Sequence, residues 1–181
     1  MRDKIKLNSL AVELRRDWDL NPYSPIDLFS IVLSKLPDLT ILFYPMSDNT
    51  SGMCIKNING IDVNELKEIG SSAEELSNDM FICINSNMSK GRQRFTLAHE
   101  LYHLLDDDEN FFICSEGYND IIETKADHFA SNFLMSENAL YDFIESNKIE
   151  EWTISDIVKC EQYFQLDHRN FIGRLYNENL I

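Results

Sequence analysis

Apolar residues recur at helical spacing over residues 5–19, where Ile5, Leu7, Leu10, Ala11, Leu14 and Trp18 give an amphipathic helix pattern. Pro22 predicts the end of that helix, and Ser24-Pro25 predicts the start of a second, with the serine as cap and the proline at the first helical position. Ile26, Leu28, Phe29, Ile31, Val32 and Leu36 give the second helix a broad apolar face, closed by Pro37. The pattern then shortens into β-rich runs at 39–44, 52–58 and 80–85, with Asn59-Gly60 as a turn signal. Residues 61–78 read as a short exposed helix or an excursion. Helical spacing returns after Ser89 with Leu97, Leu101, Leu104 and Leu105, then again over 119–134. The stretch between, 109–118, reads as a linker holding one apolar run, Phe111 to Ile113. Ser136-Glu137 opens another helix, and 153–164 and 167–176 form a terminal helix pair. The expected fold is α+β, a small β-sheet packed on helices with a C-terminal helix pair. It is organised as one domain over 1–181: N-terminal helices at 1–38, sheet and long helices at 39–136, C-terminal helices at 137–181.

Charge narrows the class of partner. The chain carries a net charge of −15, which repels phosphate backbones and acidic membrane surfaces and favours a basic partner. The terminal helix pair faintly resembles a helix-turn-helix, but residues 150–181 hold six acidic and three basic side chains, too few cations for groove binding. No apolar run approaches the roughly 20 residues of a membrane span, and the first residues lack the apolar stretch of a signal peptide, so a cytoplasmic location is expected. Cys54, Cys83, Cys114 and Cys160 are widely spaced and read as reduced, buried thiols.

The chemistry lies in the long helix. His99, Glu100 and His103 form a His-Glu-x-x-His pattern. On a helix the two histidines stand about 40° apart, one turn above the other, so both imidazoles can reach one metal ion. Zinc suits imidazole ligands and accepts a three-ligand site with an open position, next to which Glu100 can serve as general base. The third ligand is sought in the next helix, which carries Glu123 with Ala126 and Ala130 near its face, small enough for close helix approach. Asp127, one turn on, is placed to accept the remaining ring N–H of a zinc-bound histidine. His128 is the rival ligand, but it points about 140° from Glu123. Tyr102, Tyr118 and His128 are candidates for an additional oxyanion donor.

The run Arg94-Phe-Thr-Leu-Ala-His-Glu-Leu-Tyr-His103, followed by Glu123-Thr-Lys-Ala-Asp-His-Phe-Ala130 and Leu134-Met135, resembles the ImmA/IrrE family of zinc metallopeptidases. The resemblance is strongest over 80–136 and extends weakly back to Ser51-Gly52. It implies a thermolysin-like zincin core and one zinc ion per chain. It also implies hydrolysis of a protein substrate, a basic DNA-binding repressor of the Xre helix-turn-helix type, in a prophage or mobile element. Tyr102 and Ser136 depart from the family's usual glycine and proline at those places. The alternative is a non-catalytic, zinc-containing interaction module such as a toxin–antitoxin component, which would have no use for Glu100.

Two further expectations concern the surroundings of the motif. Lys90, Arg92 and Arg94 crowd the start of the long helix and Asp106, Asp107 and Asp108 its end, each the wrong sign for the helix dipole. Arg92 or Arg94 is therefore expected to find a carboxylate across the fold. The strand at 80–85 reads either as an edge on which an extended peptide could pair or as a wholly internal strand.

Overall fold

The structure, a computed structural model, describes residues 2–56, 80–106, 111–115 and 121–181; the turn at Asn59-Gly60, the segment 61–78 and Tyr118 lie outside these residues. Helix α1 (Arg2–Asp17) is followed by α2 (Leu28–Lys35). Neither boundary falls where proline placed it. Helix α1 stops because Asp19 turns left-handed (φ 57°) and the Leu20 N–H folds back to the Arg15 carbonyl at 2.8 Å, ahead of Pro22. Ser24-Pro25 does not open α2. The Ser24 carbonyl accepts from Arg15 Nη2 at 3.0 Å, and the Ile26 carbonyl accepts from Arg94 Nη2 at 2.5 Å. The helix begins only after Asp27, whose carboxylate accepts from Ser30 Oγ at 2.7 Å.

Among the described residues four strands form one mixed sheet: β1 (Leu39–Tyr44), β2 (Thr50–Ile55), β3 (Met80–Asn85) and β4 (Phe111–Ser115), in the order β1-β3-β2-β4. Strand β1 runs parallel to β3, while β2 runs antiparallel to both β3 and β4. Phe111 to Ile113, read as linker, is thus strand, paired with Met53 to Ile55. Strand β3 is internal, the second of the two readings; among the described strands β1 and β4 are the outer ones. Asn85 closes β3 with every polar valence used. Its Oδ1 accepts from the N–H of Met46 (3.1 Å) and Asn87 (3.0 Å), and its Nδ2 donates to the carbonyls of Ser47 (2.9 Å) and Thr50 (2.8 Å). One buried side chain therefore fixes the β1–β2 connection.

Alternation sorts the sheet faces. Cys54, Ile82 and Ile84 join the main core beneath the helices, while Ile55, Phe81 and Cys83 form a second cluster on the opposite face. Helix α3 (Lys90–Asp106) lies on β2 and β3, and α4 (Ile121–Leu134) packs along α3. Ala126 and Ala130 are fully buried, as the close approach of two helices requires. Helix α1 lies along α4, with Trp18 edge-on to Phe133 at 5.7 Å and Arg15 Nη1 donating to the Phe133 carbonyl at 2.6 Å. Ser136 Oγ donates to the Pro22 carbonyl, a second tie from this end of α4 to the N-terminal segment.

Helices α5 (Glu137–Asn147), α6 (Ile154–Phe164) and α7 (His168–Asn177) complete the chain. They start where expected, and each start is capped: Ser136 accepts from the Ala139 N–H, Thr153 and Asp156 form a reciprocal capping box, and Asp167 accepts from the Asn170 N–H. Arg94 of α3 reaches the far end of α6, donating through Nη1 to the Phe164 carbonyl at 2.5 Å. Its partners are thus backbone carbonyls, in place of the carboxylate expected. Cys54, Cys83 and Cys160 are buried and reduced, and burial pushes the Cys160 thiol up to about 12. No helix among the described residues is long and apolar enough to cross a membrane.

Candidate metal centre

Helix α3 presents two working faces. Thr96 and Glu100, one turn apart, look toward β2, while His99 and His103 look toward α4. Ser89 caps this helix, accepting from the Arg92 N–H at 3.3 Å, and Gln93 folds its amide back onto the carbonyls of Ser86 and Met88. The start of α3 is therefore tied to the end of β3, which sets its direction across the sheet.

From α4, Glu123 reaches both histidines. Its Oε2 lies 3.2 Å from His99 Nε2, and its Oε1 lies 3.4 Å from His103 Nε2. The two Nε2 atoms are themselves 3.1 Å apart. One ligand atom from each of the three residues falls within 4.8 Å of the others, so the group can hold a metal ion. Asp127, one turn along α4, accepts the His99 Nδ1–H at 2.8 Å. That bond commits Nδ1 to a proton and turns the Nε2 lone pair of a neutral ring toward the centre. The Asp127 side chain is 64% exposed, whereas those of His99 and His103 are buried.

The electrostatics follow from this crowding. Burial alone would lower the pKa of His99. The hydrogen bonds to Asp127 and Glu123, with the negative charges of Glu100 and Asp127, outweigh it and raise the value to about 10. Burial likewise pushes Glu123 up, but the two histidines hold its carboxylate down at about 2. A proton and a metal ion therefore compete for the same lone pair.

Glu100 is fully buried, and its carboxylate lies beneath Gly52 of β2. The remaining candidates are dispersed. Tyr102 is buried in the core, its ring 5.6 Å from that of Phe129. His128 is half-buried on α4, and its imidazole is not part of the converging group. Gly52 escaped the sequence reading as a site residue. The available signal was a glycine inside a strand, a frequent mark of close backbone approach.

No curated protein matches the chain. The family model of the IrrE N-terminal-like domain, Peptidase_M78, matches residues 59–167, a span that contains the His-Glu-x-x-His helix, Glu123 and Asp127. With a histidine pair and a glutamate converging inside that span, the chain belongs to the Peptidase_M78 family, which supports a metallopeptidase-type function.

Proposed function

We propose that the chain is a zinc-dependent peptidase that hydrolyses a peptide bond in a protein substrate, a basic helix-turn-helix repressor of the Xre type from a prophage or mobile element, within the cytoplasm. The observation that carries the reading is the convergence of His99, His103 and Glu123 beside a buried Glu100. Two ligands about 2.0–2.1 Å from one zinc ion and tetrahedrally disposed lie about 3.3–3.4 Å apart. The two imidazole nitrogens stand 3.1 Å apart, close to that spacing, and the Glu123 carboxylate approaches them through a different oxygen each, at 3.2 and 3.4 Å; two imidazoles with one carboxylate form a donor set that suits zinc better than calcium or magnesium. Bound there, zinc would supply Lewis-acid polarisation of the scissile carbonyl and a lowered pKa for water.

The chain's own residues supply the rest. His99, His103 and Glu123 hold the ion, and Asp127 keeps the proton on His99 Nδ1. The Glu100 carboxylate accepts a proton from the attacking water and returns it to the departing amine. An extended substrate can add to the outer strand β4, gaining main-chain hydrogen bonds. The net charge of −15 favours a basic DNA-binding partner by long-range attraction.

The test pairs metal analysis with cleavage of a candidate Xre-type repressor. Wild type is expected to hold about one zinc per chain and His103→Ala to lose most of it. Glu100→Gln is expected to keep its zinc while cleavage falls at least about 100-fold. Equal cleavage by wild type and Glu100→Gln would remove Glu100 from the mechanism. Relief of repression by both, without any cleavage, would favour the interaction module.

A further inference from the structure

We propose that Gly52 is a positioning residue for Glu100: the missing side chain on β2 is the space in which the buried carboxylate is held. This rests on the reading of Glu100 as the general base. A Cβ built on Gly52 would stand 2.6 Å from Thr96 Cγ2, 2.9 Å from the Cys83 carbonyl oxygen and 2.9 Å from Glu100 Oε1. All three lie inside the 3.0 Å that real Cβ atoms keep. Gly52 is buried, and opposite it on β3 stands Ile84. The strand backbone therefore lies directly against the face of α3 that carries Thr96 and Glu100.

The local ladder is shaped for this contact. Between Thr50 and Gly52 the register with β4 shifts, so that two residues of β2 answer one of β4. Ser51, the extra residue, accepts from Arg92 Nη2 at 3.3 Å, so α3 grips the irregular step beside Gly52. Bulges of this kind bend a strand and re-aim what it carries. Here the bend brings bare backbone over the carboxylate.

The three neighbours differ in what they can yield. The Cys83 carbonyl is backbone in an internal strand, held by the pairing of β2 with β3. Thr96 is short and β-branched, so on a helix its χ1 is confined to two rotamers. The Glu100 carboxylate, at the end of a longer and freer side chain, is the easiest to move. Any side chain at position 52 therefore displaces the carboxylate first, by at least the 0.5 Å that separates the 2.9 Å contact from an ordinary one of 3.4 Å. His99 and His103 look toward α4, so the ligand set stays in place.

The experiment compares zinc-loaded wild type, Gly52→Ala and the double variant Gly52→Ala/Thr96→Ser by crystal structure, zinc content, melting temperature and cleavage kinetics. Gly52→Ala is expected to keep one zinc per chain, show the Glu100 carboxylate displaced, and lose at least about tenfold in kcat with KM little changed. The double variant removes the Thr96 methyl, and is expected to regain stability without regaining kcat or the carboxylate position. Glu100 unmoved in the crystal of Gly52→Ala, unimpaired kcat, loss of zinc, or recovery of kcat in the double variant would each overturn the proposal. Should wild type cleave no substrate, the peptidase reading fails on its own, and the crystallographic position of Glu100 in the variants still decides the role of Gly52. If Gly52→Ala does not fold, the double variant carries the same measurements.

Discussion

Replacing Arg94 by Met removes a cation that ties the start of α3 to two distant segments while keeping comparable apolar bulk. The guanidinium is buried and makes 2.5 Å bonds to the carbonyls of Phe164, at the end of α6, and Ile26, just before α2. The first of these is one of the carbonyls a helix C-terminus leaves unmatched. Bonds from an ionised donor contribute about 1.5–3 kcal/mol each. Against that stands the cost of burying the charge, visible in an Arg94 pKa lowered to about 10 chiefly by burial. Met would recover the desolvation cost but leave both carbonyls in a buried place without their donor. The net loss is expected at about 2–4 kcal/mol, or about 5–15 °C in Tm for a chain of this size. Arg94→Lys is expected to fall between, because one ammonium group cannot span carbonyls on two elements as a planar fork does. Urea and thermal unfolding at fixed zinc concentration measure the effect, with zinc content as control, since the ligands begin more than a turn further along α3. A loss below about 0.5 kcal/mol in Arg94→Met would refute the reasoning and reduce Arg94 to an ordinary packing residue.

Asp127→Ala is expected to weaken zinc binding about tenfold, the low end of the usual range, because water can reach the exposed carboxylate's place and take over the His99 Nδ1–H; a chelator competition titration checks it, and unchanged affinity would make Asp127 a surface charge. Zinc uptake near pH 7 is expected to expel at least about one proton, since His99 is held protonated up to about 10 in the metal-free chain; calorimetry in buffers of different ionisation enthalpy reads it, and absence of proton release would contradict the electrostatics of the site. The sign is fixed: His99 is raised, so its protonated form gains stability fully below its ordinary value near 6.5, lost as pH rises through about 10, and zinc affinity rises with pH across that window.

Legibility tracked the range over which each signal acts. The ligand helix, the bounds of β1 and β3, and the helix starts after Ser89, at Ser136-Glu137, at 153 and at 167 rest on neighbours within a few residues, and all were readable. So was the convergence of His99, His103 and Glu123, because helical periodicity points the first two together and small residues mark where α4 approaches. Strand β4 was missed because Phe111 to Ile113 has no alternation of its own; its pairing with β2 makes it a strand. The start of α2 was misplaced because the carbonyls of Ser24 and Ile26 are claimed by Arg15 and Arg94, and nothing local announces a donor 68 residues away. The internal place of β3 and the closeness of Gly52 to Glu100 depend likewise on strand order and on where α3 settles.

The pairing of α1 with α4 has a consequence for how the chain is made. The bond from Arg15 to the Phe133 carbonyl spans 118 residues, and that from Ser136 to the Pro22 carbonyl spans 114. At the roughly 5–20 residues per second of translation, α1 waits about 6–24 s before the helix that covers it has been synthesised. Through that interval the stripe formed by Leu10, Leu14 and Trp18 has no partner on α4, and a newly emerging chain is a natural client for chaperones that shield such stripes. Glu123 and Asp127 arrive on the same helix. The arrival of α4 therefore supplies both the cover for the N-terminal helix and the third residue of the group that could hold a metal ion, and both come only when residues up to Leu134 have been made.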